Sequence, residues 1–277
     1  RAQLVLAFGD HDYFQDPACY TDLKRLFPAA HVLGCSSSGN VLDTAITDGA
    51  IVATGMYLER GHVKFVATDV AAGDAMQAPG TRLVNELDGP DLRHVFILSD
   101  GLSINGSDLA KGLNGGGRKN SVTGGLAGDG PRFGKTWVMT DAPSAPCRIG
   151  AVGLYGDLSV KCGCYSGWEE FGAERVVSRS AGNVVYEIDG QPALALYKRY
   201  LGAQAAELPA SGLRFPLSVR PSKDSTPIIR TLLAVDEAAQ SLTFAGDVPE
   251  GHFCKLMRAN LGNLIDSAAM AAAVADP

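Results

Sequence analysis

Short apolar runs bounded by glycine, proline and acidic residues alternate along the chain with stretches whose apolar residues recur at helical spacing, which predicts strands and helices in turn. Residues 4–8 read as a first strand, closed by Gly9-Asp10. A helix follows over 17–27, with Leu23, Leu26 and Phe27 on one stripe and Pro28 as its stop. His31-Val32-Leu33 forms a second strand that delivers a loop of small residues from Gly34 to Asn40. A hairpin is predicted next, residues 50–58 with 62–68 about Glu59-Arg60-Gly61, and then a helix over 73–87.

The plan then restarts. Residues 95–98 form a strand ending at Ser99-Asp100-Gly101, and Asn105 is placed to cap a helix over 106–113. Ser121-Val122-Thr123 leads into a glycine-rich run from Gly124 to Gly130. A strand over 136–140 and a second hairpin, 149–155 with 159–165 about Gly156-Asp157, complete the unit. Asp100 follows Asp10 by 90 residues, and Gly124 follows Gly34 by the same interval. That spacing reads as an internal repeat, whose two glycine loops would face each other across a pseudo-twofold axis around a ligand pocket.

Beyond Trp168 the pattern changes. Residues 175–180 and 184–188 read as strands, and Pro192 opens a helix to Tyr200 that Gly202 ends. Residues 208–227 form a proline-rich connection with one strand; 228–235, 241–244 and 253–257 are further strands, and 260–274 is a helix. Such alternation predicts an α+β fold of repeated βαβ-plus-hairpin units, with mixed sheets covered by helices.

Composition narrows the function classes. Apolar residues make up 46 % of the chain and charged ones 19 %, enough for a real core. The net charge of −6 argues against a nucleic-acid platform, and no apolar run reaches the roughly 18 residues that span a bilayer. The 6 cysteines show no disulfide framework; Cys162 and Cys164, read as neighbours on a strand, lack partners for a zinc site.

The loop from Gly34 holds the most chemistry. Cys35, Ser36, Ser37, Ser38 and Asn40 offer N–H groups and hydroxyls to a ligand, or they make a tight turn. Ser38 stands where a nucleophile elbow needs glycine. Gly134-Lys135-Thr136 fails as a phosphate loop, because Asp129 occupies its first glycine position. Asp100 either accepts from a ligand amine or fixes its own turn, and Asp129 with Arg132 reads as a charge pair suited to a zwitterion or as a surface pair. Gly124 and Gly125 open the second loop. The 5 histidines show no metal spacing, and those that begin strands, His62 and His94, read as solvent-facing or capping. No catalytic constellation stands out; a hydrolase using Cys35 or Ser37 is the alternative to a binding module.

These segments resemble a known family. Gly34-Cys35-Ser36-Ser37-Ser38-Gly39 is similar to the first signature of the FIST N region, with Asn40 where that signature usually has Glu. Ser99 to Gly106 and Gly124 to Phe133 resemble its two later signatures, and Phe244 to Gly251 resembles an element of the FIST C region. The resemblance implies a FIST N-like region over 1–187, with its repeat at about 1–90 and 91–170, and the start of a FIST C-like region, incomplete, over 188–277. It implies a cytoplasmic sensory domain that binds a small ligand, such as an amino acid, and regulates a signalling partner such as a histidine kinase or a cyclic-dinucleotide enzyme. Some members are haem proteins that sense nitric oxide; His31, His94 and His252 are the axial candidates here.

Overall fold

Strand β1 (Leu4–Gly9) carries apolar side chains on both faces, which only a strand covered on both sides can bury. The computed structural model describes residues 1–71, 77–115 and 120–275. After β1 come α1 (His11–Gln15) and α2 (Pro17–Leu26), capped by the carboxylates of Asp10 and Asp16, which accept from the N–H groups of Asp12 and Ala18. β2 (His31–Ser36) returns parallel to β1. A small ribbon, β3 (Asn40–Leu42) with β4 (Ala45–Thr47), leads to β5 (Ile51–Met56), antiparallel to β1. β6 (Gly61–Asp69), α3 (Gln77–Leu87), β7 (Leu92–Ser99), α4 (Gly106–Leu113), β8 (Ser121–Leu126), β9 (Val138–Thr140) and β10 (Arg148–Gly156) complete the first of two compact units, Arg1–Val160.

This unit has four layers. Its two main sheets have the strand orders β5-β1-β2-β9 and β6-β10-β7-β8. The alternation along β1 turns Val5 and Ala7 toward Phe14, Cys19 and Leu23 of the first helices, while Leu4, Leu6 and Phe8 meet Phe96, Leu98 and Val152 of the other sheet. On β7, Val95 and Ile97 pack under Leu83 and Leu87 of α3 and Leu109 and Leu113 of α4. The order is helix, sheet, sheet, helix, and the class is α+β with mixed sheets.

The two parallel pairs share one register. Leu4 stands opposite His31, and His94 opposite Ser121; Ala7 stands opposite Gly34, and Ile97 opposite Gly124. Each of these partners lies 90 positions from its counterpart. The loop bonds match as well: Ser37 N–H donates to the Gly9 carbonyl and Ala127 N–H to that of Ser99, both at 2.8 Å. A side chain at Gly34 would stand 2.5 Å from the Ala7 carbonyl, and one at Gly124 1.8 Å from the Ile97 carbonyl. Both glycines are demanded by the close approach of the paired strand.

Several expected elements differ. The hairpin over 50–58 and 62–68 does not form: β5 pairs with β1 and β6 with β10, in separate sheets. Nor does the hairpin over 149–155 and 159–165, because β10 runs between β6 and β7 and residues 159–165 form no strand. Cys162 and Cys164 therefore lie on an exposed irregular segment. β2 extends to Ser36, so the first three residues of the predicted loop are strand. The expected start of α3 at Gly73 lies outside the described residues.

The second unit begins at Lys161. It contains β11 (Trp168–Ala181), β12 (Val184–Ile188), β13 (Gln191–Pro192), α5 (Ala193–Leu201), β14 (Leu217–Arg220), β15 (Ile228–Arg230), β16 (Leu232–Asp236), β17 (Ser241–Phe244), β18 (Phe253–Ala259) and α6 (Leu261–Ala275). The antiparallel sheet runs β15-β14-β18-β11-β12-β17-β16 and curls around α5, whose Leu194, Leu196 and Tyr197 fill its concave face. The strand expected over 228–235 is split at Thr231, and its halves stand at the two ends of that order. Two short apolar runs separated by Arg230 and Thr231 thus serve the two ends of the sheet order.

Candidate functional site

The sheet-on-sheet core of the first unit opens into a cavity of about 520 Å³ at the C-terminal ends of the two parallel pairs. Its floor is apolar, made by Phe8, Phe96 and Leu98, the last inter-sheet side chains of β1 and β7. The rim is small and polar: Cys35, Ser36, Ser37 and Ser38 from β2 and the loop after it, and Thr123, Gly124, Gly125 and Gly128 from β8 and its loop. A second hollow of about 320 Å³ shares Ser37 and Ser38 and is lined further by Asp10, Asn40, Asp48 and Arg132. In the second unit the concavity beside Arg175 and Tyr200 holds only about 10 Å³, so α5 and the sheet close on each other.

The two loops are tied directly. Gly128 N–H donates to the Ser36 carbonyl at 2.9 Å, and Gly130 N–H to Ser38 Oγ at 3.1 Å. A side chain at Gly128 would stand 2.6 Å from Ser38 Oγ and would displace that hydroxyl. Ser36, wholly buried, accepts from Trp137 N–H through Oγ at 3.0 Å. Ser37 Oγ donates to the Gly39 carbonyl at 2.7 Å. At Gly125, by contrast, an added side chain would meet nothing within 4 Å and would point into open space.

Two carboxylates marked in the sequence are turned inward. Asp100 lines neither hollow: its Oδ1 accepts from Leu102 and Ser103 N–H at 2.9 and 2.7 Å, and its Oδ2 from Cys147 N–H at 2.9 Å. Asp129, also buried, accepts from Gly134 and Lys135 N–H at 2.7 and 3.0 Å. Both hold their turns, as short acidic side chains do. The expected Asp129–Arg132 charge pair is replaced by a bond from Arg132 Nη1 to the Asp129 carbonyl at 3.2 Å. The Arg132 guanidinium instead sits 3.7 Å from Asp10 and 3.6 Å from Asp12.

The candidate nucleophile is poorly prepared. Burial pushes the Cys35 thiol up to about 12, so it stays protonated at neutral pH, whereas attack or metal ligation needs the thiolate. The histidines are engaged elsewhere. His31 Nδ1 lies 2.9 Å from the Asp141 carboxylate and its ring stacks on Phe65. His94, expected to face solvent or to cap, is 3 % exposed; its Nδ1 meets Ser121 Oγ at 2.7 Å and its Nε2 Thr123 Oγ1 at 2.8 Å. His252 stands in a turn of the second unit, with Nδ1 3.4 Å from the Glu250 carbonyl. None of the three lines either hollow. The donor set there does not fit axial ligation of haem.

The floor of the cavity was not legible in the sequence. Phe8, Phe96 and Leu98 were legible only as strand residues; their period-two placement opposite Ala7 and Ile97 was the available signal. Asp48 carried no signal, because it reaches the hollow through the β3–β4 ribbon.

The FIST N domain model matches residues 3–191 and the FIST C domain model residues 193–277. The chain belongs to the FIST family. No curated protein matches it. FIST domains are signal-transduction sensors and are sensory in character, not catalytic. Among the described residues of this FIST chain no helix is long and apolar enough to cross a membrane, and no group of three or more His, Cys, Asp or Glu could hold a metal ion.

Proposed function

We propose that this FIST chain senses a small, colourless organic ligand in the inter-sheet cavity and passes its occupancy to a separate signalling enzyme, such as a histidine kinase or a cyclic-dinucleotide enzyme. The observation that carries the reading is a hollow of ligand size with an apolar aromatic floor and a rim of hydroxyls and glycine backbone. The shared register supports reading residues 1–90 and 91–170 as two copies of one unit, with the ligand at their common mouth. Because the loops are joined through Ser36–Gly128 and Ser38–Gly130, a ligand touching one rim acts on both. A haem-based nitric oxide sensor is the weaker reading, since the cavity supplies neither a histidine nor a thiolate.

Melting-temperature screening of small organic compounds tests this. A ligand at a hundred times its dissociation constant stabilises by about 2.7 kcal/mol. A compound that raises Tm in the parent and not in Gly125→Leu, whose Cβ would meet nothing within 4 Å, is the expected result. A shift retained in that variant, or a Soret band on adding haem that is lost with one histidine, would overturn it.

A further inference from the structure

The second unit opens on a segment that belongs to no strand. Residues 161–167 run without a turn or bend, and two glycines seat them on α6. A side chain at Gly163 would stand 2.2 Å from the Ala271 carbonyl oxygen, and one at Gly167 2.4 Å from the Leu264 nitrogen, so backbone rests directly on the helix at both points. Ala271 lies seven residues beyond Leu264, about 10.5 Å along a helix, and only a near-extended chain covers that in the four steps from Gly163 to Gly167. In an extended chain, successive residues point to opposite sides. With Gly163 turned to α6, Cys162 and Cys164 both point away from it, and of the 6 cysteines these two are the exposed ones.

We propose that Cys162 and Cys164 form a redox-modification site: a small-molecule disulfide such as oxidised glutathione closes them into an intrachain disulfide, and closure lifts the segment off α6. One cysteine thiolate attacks the small disulfide, which leaves a mixed disulfide and releases one small thiol. The thiolate of the other cysteine then attacks the protein sulfur of that bond and releases the second small thiol. Two protein thiols are thereby oxidised, and one small disulfide is reduced to two thiols. The buried Cys19, Cys35 and Cys254 do not compete for the reagent. Two residues apart in an extended chain, Cα atoms stand about 6.6–7.2 Å from each other, whereas a disulfide holds them mostly at about 5.5–6 Å. Closure therefore bends the chain, and the bend falls on Gly163. Glycine accepts it, but the same backbone then loses its close seat on Ala271. α6 contains no buried residue, so contacts of this kind hold it.

Mass spectrometry of the full chain treated with oxidised glutathione at pH 8 tests the site, and hydrogen exchange of the α6 amides tests its consequence. The parent should lose two hydrogens within the peptide that carries both cysteines, keep no glutathione, and revert with dithiothreitol. Cys162→Ser, which lacks the second thiol, should stop at a mixed disulfide on Cys164. Amides of Leu261–Ala275 should exchange severalfold faster in the oxidised parent than in the reduced one. Cys162→Ser combined with Cys164→Ser should show no such response to the reagent. Glutathione that stays on the parent, or a link between two chains, would overturn the site. Closure that leaves α6 exchange unchanged would overturn the release of the helix.

Discussion

Gly34 on β2 and Gly124 and Gly125 on β8 have unlike jobs. At Gly34 and Gly124 the missing side chain is replaced by a neighbouring carbonyl, at 2.5 and 1.8 Å, and Gly124 also has φ of +151°. Gly34→Ala and Gly124→Ala should each destabilise by at least about 1–3 kcal/mol, the usual range for overpacking, in urea unfolding. Gly125→Ala, facing open space, should change the midpoint little. The cysteines divide as sharply. Cys35 is held protonated by burial, and Cys254 is likewise pushed up to about 12, whereas Cys162 and Cys164 are exposed. Timed iodoacetamide labelling of native protein at pH 8, read by peptide mass, should modify Cys162 and Cys164 first and leave Cys35 unmodified until the fold opens. Early labelling of Cys35 would restore it as a nucleophile.

At the scale of elements, the strands and helices were legible because each is written in local terms. α4 has its Asn105 cap, accepting from Ser107 and Asp108 N–H, and α5 starts after Pro192 and stops at Gly202. Pairing is non-local and was read less well. A turn such as Glu59-Arg60-Gly61 between two strands looks like a hairpin whether they pair with each other or pass to different sheets, as β5 and β6 do. The same blindness joined β15 and β16 into one strand, although Thr231 carries the chain from one end of the sheet order to the other. The β1–β2 and β7–β8 pairs escaped it, since the 90-residue spacing of Asp10 with Asp100 and Gly34 with Gly124 is visible in the letters and coincides with the strand register. In the site, the small-residue rim was legible for that reason. The apolar floor was not, because Phe8 and Phe96 look like any other core strand residues until the two sheets are laid face to face. Asp100 carried two readings in the sequence, a ligand contact or its own turn, and backbone N–H groups decide for the turn; they claim Asp129 as well, which the sequence had paired with Arg132.

Across the whole first unit, stability and the site are linked through His94. Its ring is buried between Ser121 and Thr123 of β8, and Thr123 is part of the cavity wall. A neutral imidazole donates from one nitrogen and accepts at the other, and each hydroxyl can serve either role. Protonation removes the acceptor, and burial already holds the His94 pKa below its ordinary 6.5. The unfolded chain therefore binds the proton more readily than the folded one in the window from 6.5 down to the lowered folded value. Stability from this group is complete above about 6.5 and is lost as the pH falls through that window. Urea unfolding of the parent at pH 7.5 and pH 5.5 should show a lower midpoint at the acid end. His94→Gln, which keeps a donor and an acceptor but cannot titrate, should be less stable at neutral pH and should lose this part of the slope. The other four histidines are common to both proteins and cancel from the comparison. An unchanged slope in the variant would mean that His94 is protonated in the fold, and the β7–β8 bridge beneath the cavity would then have to be held by another proton arrangement.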